Sequence, residues 1–183
     1  MPLGRPSQTG EPTWELASLF PNQGSWTELE YLELDRRHKR LYELVHGNLE
    51  ILAMPSLSHQ EIAFFLAKQL DAYVRERKIG KVVMAPCPVR LDVKHYREPD
   101  VFIRTDRPIR DGQPEGADLV MEVVSPGERE RKRDLETKPV VYAEAGIPEY
   151  WIIDPLEQRI TVLALEGAEF RTAGVYAPGE TAR

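Results

Sequence analysis

Apolar positions along this chain follow two rhythms. In "TELEYLELDRR", Leu29, Leu32 and Leu34 recur near helical spacing behind Thr27, with Glu30 three residues further on. That is the pattern in which a threonine and a glutamate cap each other's backbone, so a short helix is expected. "RLYELVHGNLEILAM" changes to alternating apolar runs on either side of His46, Gly47 and Asn48. Glycine and asparagine supply the positive backbone angles of a tight turn, which predicts a β-hairpin. "SHQEIAFFLAKQLDAYVRERKIG" returns to the helical period through Ile62, Phe65, Leu66, Leu70 and Val74. Ser58 and Glu61 form a second capping pattern and Gly80 ends the helix.

The stretches "KVVMA", "CPVRLDV", "PDVFIR" and "DLVMEVVS" then read as strands with prolines at their edges. "ERERKRDLETKPVVYAEAG" is helical up to Pro139, which lacks an N–H, crowds the preceding turn and so kinks or restarts the helix. "EYWIIDP" and "RITVLALEG" close the series as strands. This order predicts an α+β fold: a mixed sheet flanked by helices, with a hairpin toward the N-terminus. Residues 1–25 are rich in proline and glycine and have little to bury, so they are expected to form a flexible arm. Residues 26–183 are expected to form one domain.

Composition narrows the class. Of 183 residues, 42% are hydrophobic and 30% charged, which fits a globular chain and excludes a disordered or fibrous one. No apolar run approaches the roughly 18 residues of a membrane span, and no secretion signal opens the chain, so a cytoplasmic protein is expected. The single cysteine, Cys87, stands between Pro86 and Pro88; it rules out an internal disulfide and argues against cysteine-ligated zinc. A buried or half-buried small hydrophobe is its simplest reading. The net charge of −6 counts against gripping nucleic acid by bulk electrostatics. Between Arg75 and Arg97, however, basic residues are opposed only by Glu76 and Asp92. That stretch is either a phosphate-facing stripe or an ordinary solvated surface.

Two acids stand out against this background. Asp100 follows Pro99 at the head of Val101, Phe102 and Ile103, and Glu122 shares a strand face with Val120 and Val124. A carboxylate among valines is costly unless compensated. A divalent cation shared with Asp100, an arginine partner, or local exposure of the strand would each meet that cost. Ser125 lies in "VSPG", which lacks the elbow of serine hydrolases. Asp134 precedes Lys138 by four residues, the spacing of an intrahelical ion pair, and the charged stretch from Glu128 to Lys138 reads as a solvated helix face. Tyr42, Tyr142, Tyr150 and Trp151 read as packing residues.

The blocks "YELVHG", "SHQEI", "EPDVFI", "DLVMEVVSP" and "AGIPEYWIIDP", together with a downstream lysine helix, resemble the Uma-two family of endonucleases in the PD-(D/E)XK, restriction-endonuclease-like superfamily. The resemblance spans about residues 27 to 165. It implies a restriction-endonuclease-like fold and a hydrolase that cuts DNA with Mg2+ or Mn2+ held by Asp100 and Glu122. Val124 occupies the place of the usual superfamily lysine, and the resemblance assigns its role to Lys138. It brings in Glu43 as a further metal ligand or water-positioning base, although from its strand alone Glu43 reads equally as a surface glutamate. His59 would touch phosphate or orient a carboxylate, or else face solvent as a first-turn residue. A twofold homodimer is expected of an enzyme that breaks both strands. The alternative function is a nuclease-like binding or interaction module, favoured by Val124 and the acidic charge.

Overall fold

The computed structural model describes residues 23–37, 42–105, 107–110 and 112–182. The expected arm lies outside the described residues as far as residue 22. Just beyond it, Gln23 is anchored: its Nε2 donates to the Leu49 carbonyl at 3.0 Å and its Oε1 accepts from the Leu49 N–H at 2.8 Å.

Helix α1 (Glu28–Arg37) starts on the expected reciprocal cap. The Glu30 carboxylate accepts from the Thr27 N–H at 2.9 Å, and Thr27 Oγ1 accepts from the Glu30 N–H at 3.3 Å. The hairpin β1 (Tyr42–Val45) and β2 (Asn48–Ile51) follows. Its positive angles fall on His46 and Gly47, at φ 49° and 75°. Asn48 contributes its side chain instead, whose Nδ2 donates to the carbonyls of Val45 and His46.

Helix α2 (Leu57–Arg77) is capped by Ser56 and not by Ser58: the His59 N–H donates to Ser56 Oγ at 3.2 Å. Ser56 has the extended backbone of a cap residue, at φ −71° and ψ 164°, whereas Ser58 already lies inside the helix. The helix buries Ala63, Leu66, Ala67 and Val74, whereas Phe65, expected on the inner face, points outward and is 59% exposed. Lys78 takes the left-handed cap, and Gly80 lies two residues beyond it at φ 149°, where a Cβ would stand 2.4 Å from the Arg104 carbonyl oxygen.

The remaining strands are β3 (Lys81–Met84), β4 (Val89–Asp92), β5 (His95–Arg97), β6 (Val101–Arg104), β7 (Ile109–Arg110), β8 (Gln113–Pro114), β9 (Leu119–Val123), β10 (Glu149–Asp154), β11 (Arg159–Glu166) and β12 (Glu169–Tyr176). They do not form the single sheet expected. Four make one sheet in the order β2-β1-β5-β4, six make a second in the order β12-β11-β10-β9-β6-β3, and β7 pairs with β8. The reason is β5, a three-residue strand between a turn and Pro99, too short to show alternation. It captures β4 and β1 and so draws the hairpin into its own layer. The six-stranded sheet is mixed, with β9 and β10 parallel and its other pairs antiparallel.

Each face of that sheet has a core. On one, α2 covers Val101, Leu119, Met121, Val123 and Ile153. On the other, Phe102, Val120, Val124, Tyr150 and Ile152 pack with Tyr142 and Val89. The second core draws on helix α4 (Lys138–Glu144), which follows α3 (Glu128–Lys132) through a π-helical turn at Arg133–Thr137. The kink or restart expected at Pro139 takes the form of a restart: the π-helical turn ends at Thr137 and α4 begins at Lys138 with the proline in its first turn. The turn widens just ahead of the proline, and the Lys138 N–H bonds to the Arg133 carbonyl, five residues back. That relieves the clash a proline ring makes with the carbonyl four residues earlier.

Arg131 ties this helical segment to the sheet: its Nη1 and Nη2 reach the two Asp154 oxygens at 2.9 and 2.7 Å. The guanidinium, helped by the backbone N–H groups of Glu157 and Leu156 and opposed by burial, holds the Asp154 carboxyl below its ordinary value of 3.8. Asp154→Asn keeps the shape and removes the charge, and should cost about 1–3 kcal/mol at neutral pH in urea unfolding. Because the folded-state value is depressed, the wild-type advantage is complete above the ordinary carboxylate value and fades as pH falls through the depressed one. The two stabilities should therefore converge in acid; a gap that stays constant to low pH contradicts this account.

Candidate active site

The register of β6 on β9 pairs Val101 with Met121 and Phe102 with Val120, so its next step sets Asp100 beside Glu122. Asp100 sits just ahead of β6, where its Oδ2 accepts the Val123 N–H at 2.8 Å. Its Oδ1 lies 2.9 Å from His59 Nε2. Glu122 stands on the face of β9 away from α2, as strand alternation requires, and meets α4 there. Its Oε1 accepts from the Tyr142 hydroxyl at 2.8 Å, and its Oε2 lies 2.8 Å from Lys138 Nζ. The same ammonium is 3.1 Å from Asp134 Oδ1.

Asp100, Glu122, Lys138, His59 and Asp134 line one cavity of about 610 Å³, closed on its apolar side by Met54 and the prolines 55, 86 and 126. The structure thus brings together four of the five residues singled out from sequence. Glu43 is not among the cavity's lining residues, and its full burial removes the surface reading. Its Oε2 accepts from Arg97 Nη1 at 2.6 Å and its Oε1 from the Glu98 N–H at 2.9 Å. Glu43 therefore grips the backbone two residues before Asp100. His59 is turned inward onto Asp100 with 12% of its side chain exposed, not outward to solvent.

Other cavity residues were read differently from sequence. Asp134 does pair with Lys138, yet both are almost fully buried, so this part of the charged stretch is not a solvated face. Tyr142, read as packing, also donates to Glu122. The signal was present: residues 134, 138 and 142 are spaced by four and share one helix face. Glu98, also in the cavity wall, had no such periodicity.

Charge is unbalanced here. Burial, reinforced by the charges of Asp100, Asp134 and Glu43 and resisted by Lys138, pushes the Glu122 carboxyl up to about 7. For Lys138, burial opposes the charged form, but Glu122 and Asp134 outweigh it and keep the ammonium protonated. The hydrogen bond to Asp100, against burial and with the charges of Asp100, Glu122 and Asp134, raises the His59 value.

Among the described residues no three histidine, cysteine, aspartate or glutamate side chains form a ready-made metal cage. Magnesium does not need one, since it keeps several waters and takes one or two carboxylates plus substrate phosphate. The oxygen donors of Asp100 and Glu122, in a cavity whose acids outnumber its ammonium, fit such an ion.

The Uma2 family profile, described as "Putative restriction endonuclease", matches residues 27–183. A crystal structure of a "putative nuclease belonging to DUF820" from Anabaena variabilis ATCC 29413 is similar in fold, with a TM-score of 0.64 and 19% identity over 85% of this chain and 86% of that one. The expected α+β, restriction-endonuclease-like architecture is the one found. No curated protein matches the chain.

The raised Glu122 value has a measurable consequence. A carboxyl whose folded value exceeds its ordinary 4.5 contributes full stability below 4.5 and loses it as pH rises through about 7. Metal-free wild type should therefore lose on the order of 3 kcal/mol across that window relative to Glu122→Gln. Chemical unfolding in EDTA between pH 4 and 8 reads the difference, and parallel profiles contradict it.

Proposed function

Because the chain belongs to the Uma2 family, we propose that it is a Mg2+- or Mn2+-dependent endonuclease that hydrolyses DNA phosphodiester bonds. The observation that carries this reading is the meeting of Asp100, Glu122 and the Lys138 ammonium in one cavity, with Lys138 Nζ 2.8 Å from Glu122. Val124, in the place of the usual superfamily lysine, is buried in the apolar core. Lys138 brings a cation to the acid from a different element, which answers the departure of Val124 from the superfamily pattern.

Asp100 and Glu122 would hold the divalent ion. When bound, that ion supplies Lewis-acid polarisation of the phosphodiester and activation of water. Lys138 places positive charge where the phosphate gains negative charge in the transition state. His59 and the Val123 N–H fix the Asp100 carboxylate, and Tyr142 fixes that of Glu122, so neither acid has to reorganise when substrate arrives. Glu43 serves as a positioning residue through the Glu98 backbone. A twofold dimer would supply two such sites for the two strands of a duplex. Among the described residues no helix is long and apolar enough to cross a membrane; a cytoplasmic site of action completes the proposal.

A binding module on the same scaffold would lack metal dependence. Mn2+ should raise the melting temperature of wild type but not of Asp100→Ala or Glu122→Ala, because a ligand that binds only the folded state stabilises it. Purified protein with Mn2+ should nick plasmid DNA, and Glu122→Ala should abolish the nicking. Equal nicking by the variant, or no metal-dependent shift in wild type, would overturn the proposal in favour of the binding module.

A further inference from the structure

The solvent face of α2 presents aromatic rings and cations together. Phe64 and Phe65 are 58% and 59% exposed, and Leu57 and Met54 before them are more exposed still. Gln60 lines the cavity, and Gln60, Phe64 and Lys68 follow at four-residue spacing, so they run along one face from the cavity rim outward. Lys68 Nζ stands 5.6 Å from the centre of the Phe64 ring, and the Arg77 guanidinium lies 3.9 Å over Tyr73. Lys78 and Lys81 continue the positive charge past the helix end. The acids of this region are Glu61, Asp71 and Glu76. Asp71 is taken up by Arg75 at 2.8 Å and Glu76 by Arg77 at 3.3 Å.

The chemistry of a partner follows from this mixture. A duplex hides its base faces and offers this face only phosphate, which would leave the exposed rings without a role. A purely apolar partner would have to desolvate Lys68 and the cations beyond it. A single strand exposes a ring face and a phosphate at each nucleotide and matches both components of the ridge. At 21 residues the helix is about 30 Å long, enough for several nucleotides.

We infer that this face, from Met54 and Leu57 through Phe64, Phe65 and Lys68, binds single-stranded nucleic acid and feeds it to the cavity. The feeding step rests on the nuclease reading; the binding does not. It stacks bases on Phe64 and Phe65, while Lys68 meets the backbone. Both rings are exposed, so their removal leaves the core intact.

Fluorescence anisotropy in EDTA tests it, using a labelled oligothymidylate strand, a labelled RNA strand of equal length and a labelled hairpin duplex. Wild type should bind the single strands about tenfold or more tighter than the duplex. Phe64→Ala and Phe65→Ala should each weaken that binding about 5- to 100-fold, and Lys68→Ala should weaken it with a shallower salt dependence. Unchanged binding in both phenylalanine variants, or equal affinity for the duplex, overturns the inference. So does a concentration-dependent dimer in sedimentation that Phe64→Ala dissolves, because the face would then be occupied by a second copy. Failure here with Mn2+-dependent nicking intact removes only this inference; single-strand binding without nicking removes only the nuclease reading.

Discussion

Lys138 delivers its ammonium to Glu122 and Asp134 with all three side chains almost fully buried, and the relative placement of β9, the π-helical turn and α4 depends on that contact. Such pairs are poor investments in stability. Desolvating the charges costs about as much as their attraction returns, whereas removing one partner costs about 3–5 kcal/mol because the other is left buried and uncompensated. The contact therefore acts by exclusion. Any packing of α4 that moved the ammonium off Glu122 would strand charges in the core, so one orientation of the helix survives. Tyr142, one turn later, uses the other Glu122 oxygen and fixes the same orientation a second time.

A second charged layer stands behind the first. Arg97 is fully buried between Glu43 and Glu50, and its Nε and Nη2 have no hydrogen-bond partner among the described residues. An isolated apolar contact would hold the two sheets together at lower cost. What the polar layer adds is direction. Glu43 has one oxygen on Arg97 and the other on the Glu98 N–H, and so transfers the register of the four-stranded sheet to the segment that ends in Asp100. The acid at the head of β6 is then held from both sides, by Glu43 through the backbone and by His59 and Val123 at its own carboxylate.

The sequence made some of this legible and hid the rest for physical reasons. Helix α1, the hairpin and α2 were readable because local periodicity and capping chemistry act within a few residues. The covered position of Glu122 was readable because strand alternation put a carboxylate among valines, whereas Asp100 stood out by its place behind Pro99 at the head of an apolar run. The division into two sheets was not, since three-residue β5 carries too little pattern to announce a strand. Nor was the burial of Lys138 and Asp134. A run of alternating charges looks solvated until a π-helical turn ahead of Pro139 turns two of its members inward, and a proline that kinks or restarts a helix does not by itself announce such a turn. Glu43 was found by resemblance alone, because burial of a strand glutamate is decided by an arginine some fifty residues away.

The distribution of charge binds these features into one design. Acids dominate the cavity, so without a cation the site is held against repulsion, and Glu122 answers by taking up a proton near neutrality. A divalent ion held there, as proposed, would relieve the same repulsion, so protonation of Glu122 and metal binding would be competing outcomes of one electrostatic strain. On the proposed reading, a phosphodiester would meet a negative cavity in the absence of an ion, whereas the ring-bearing face of α2, with Lys68 beside Phe64, lies outside those acids. On the two proposals together, recognition would lie on the outer face of α2 and chemistry in the cavity, where an ion would first have to offset the acids. The net charge of −6, which argued at first against contact with nucleic acid, acts on this view as a gate on where that contact can be made.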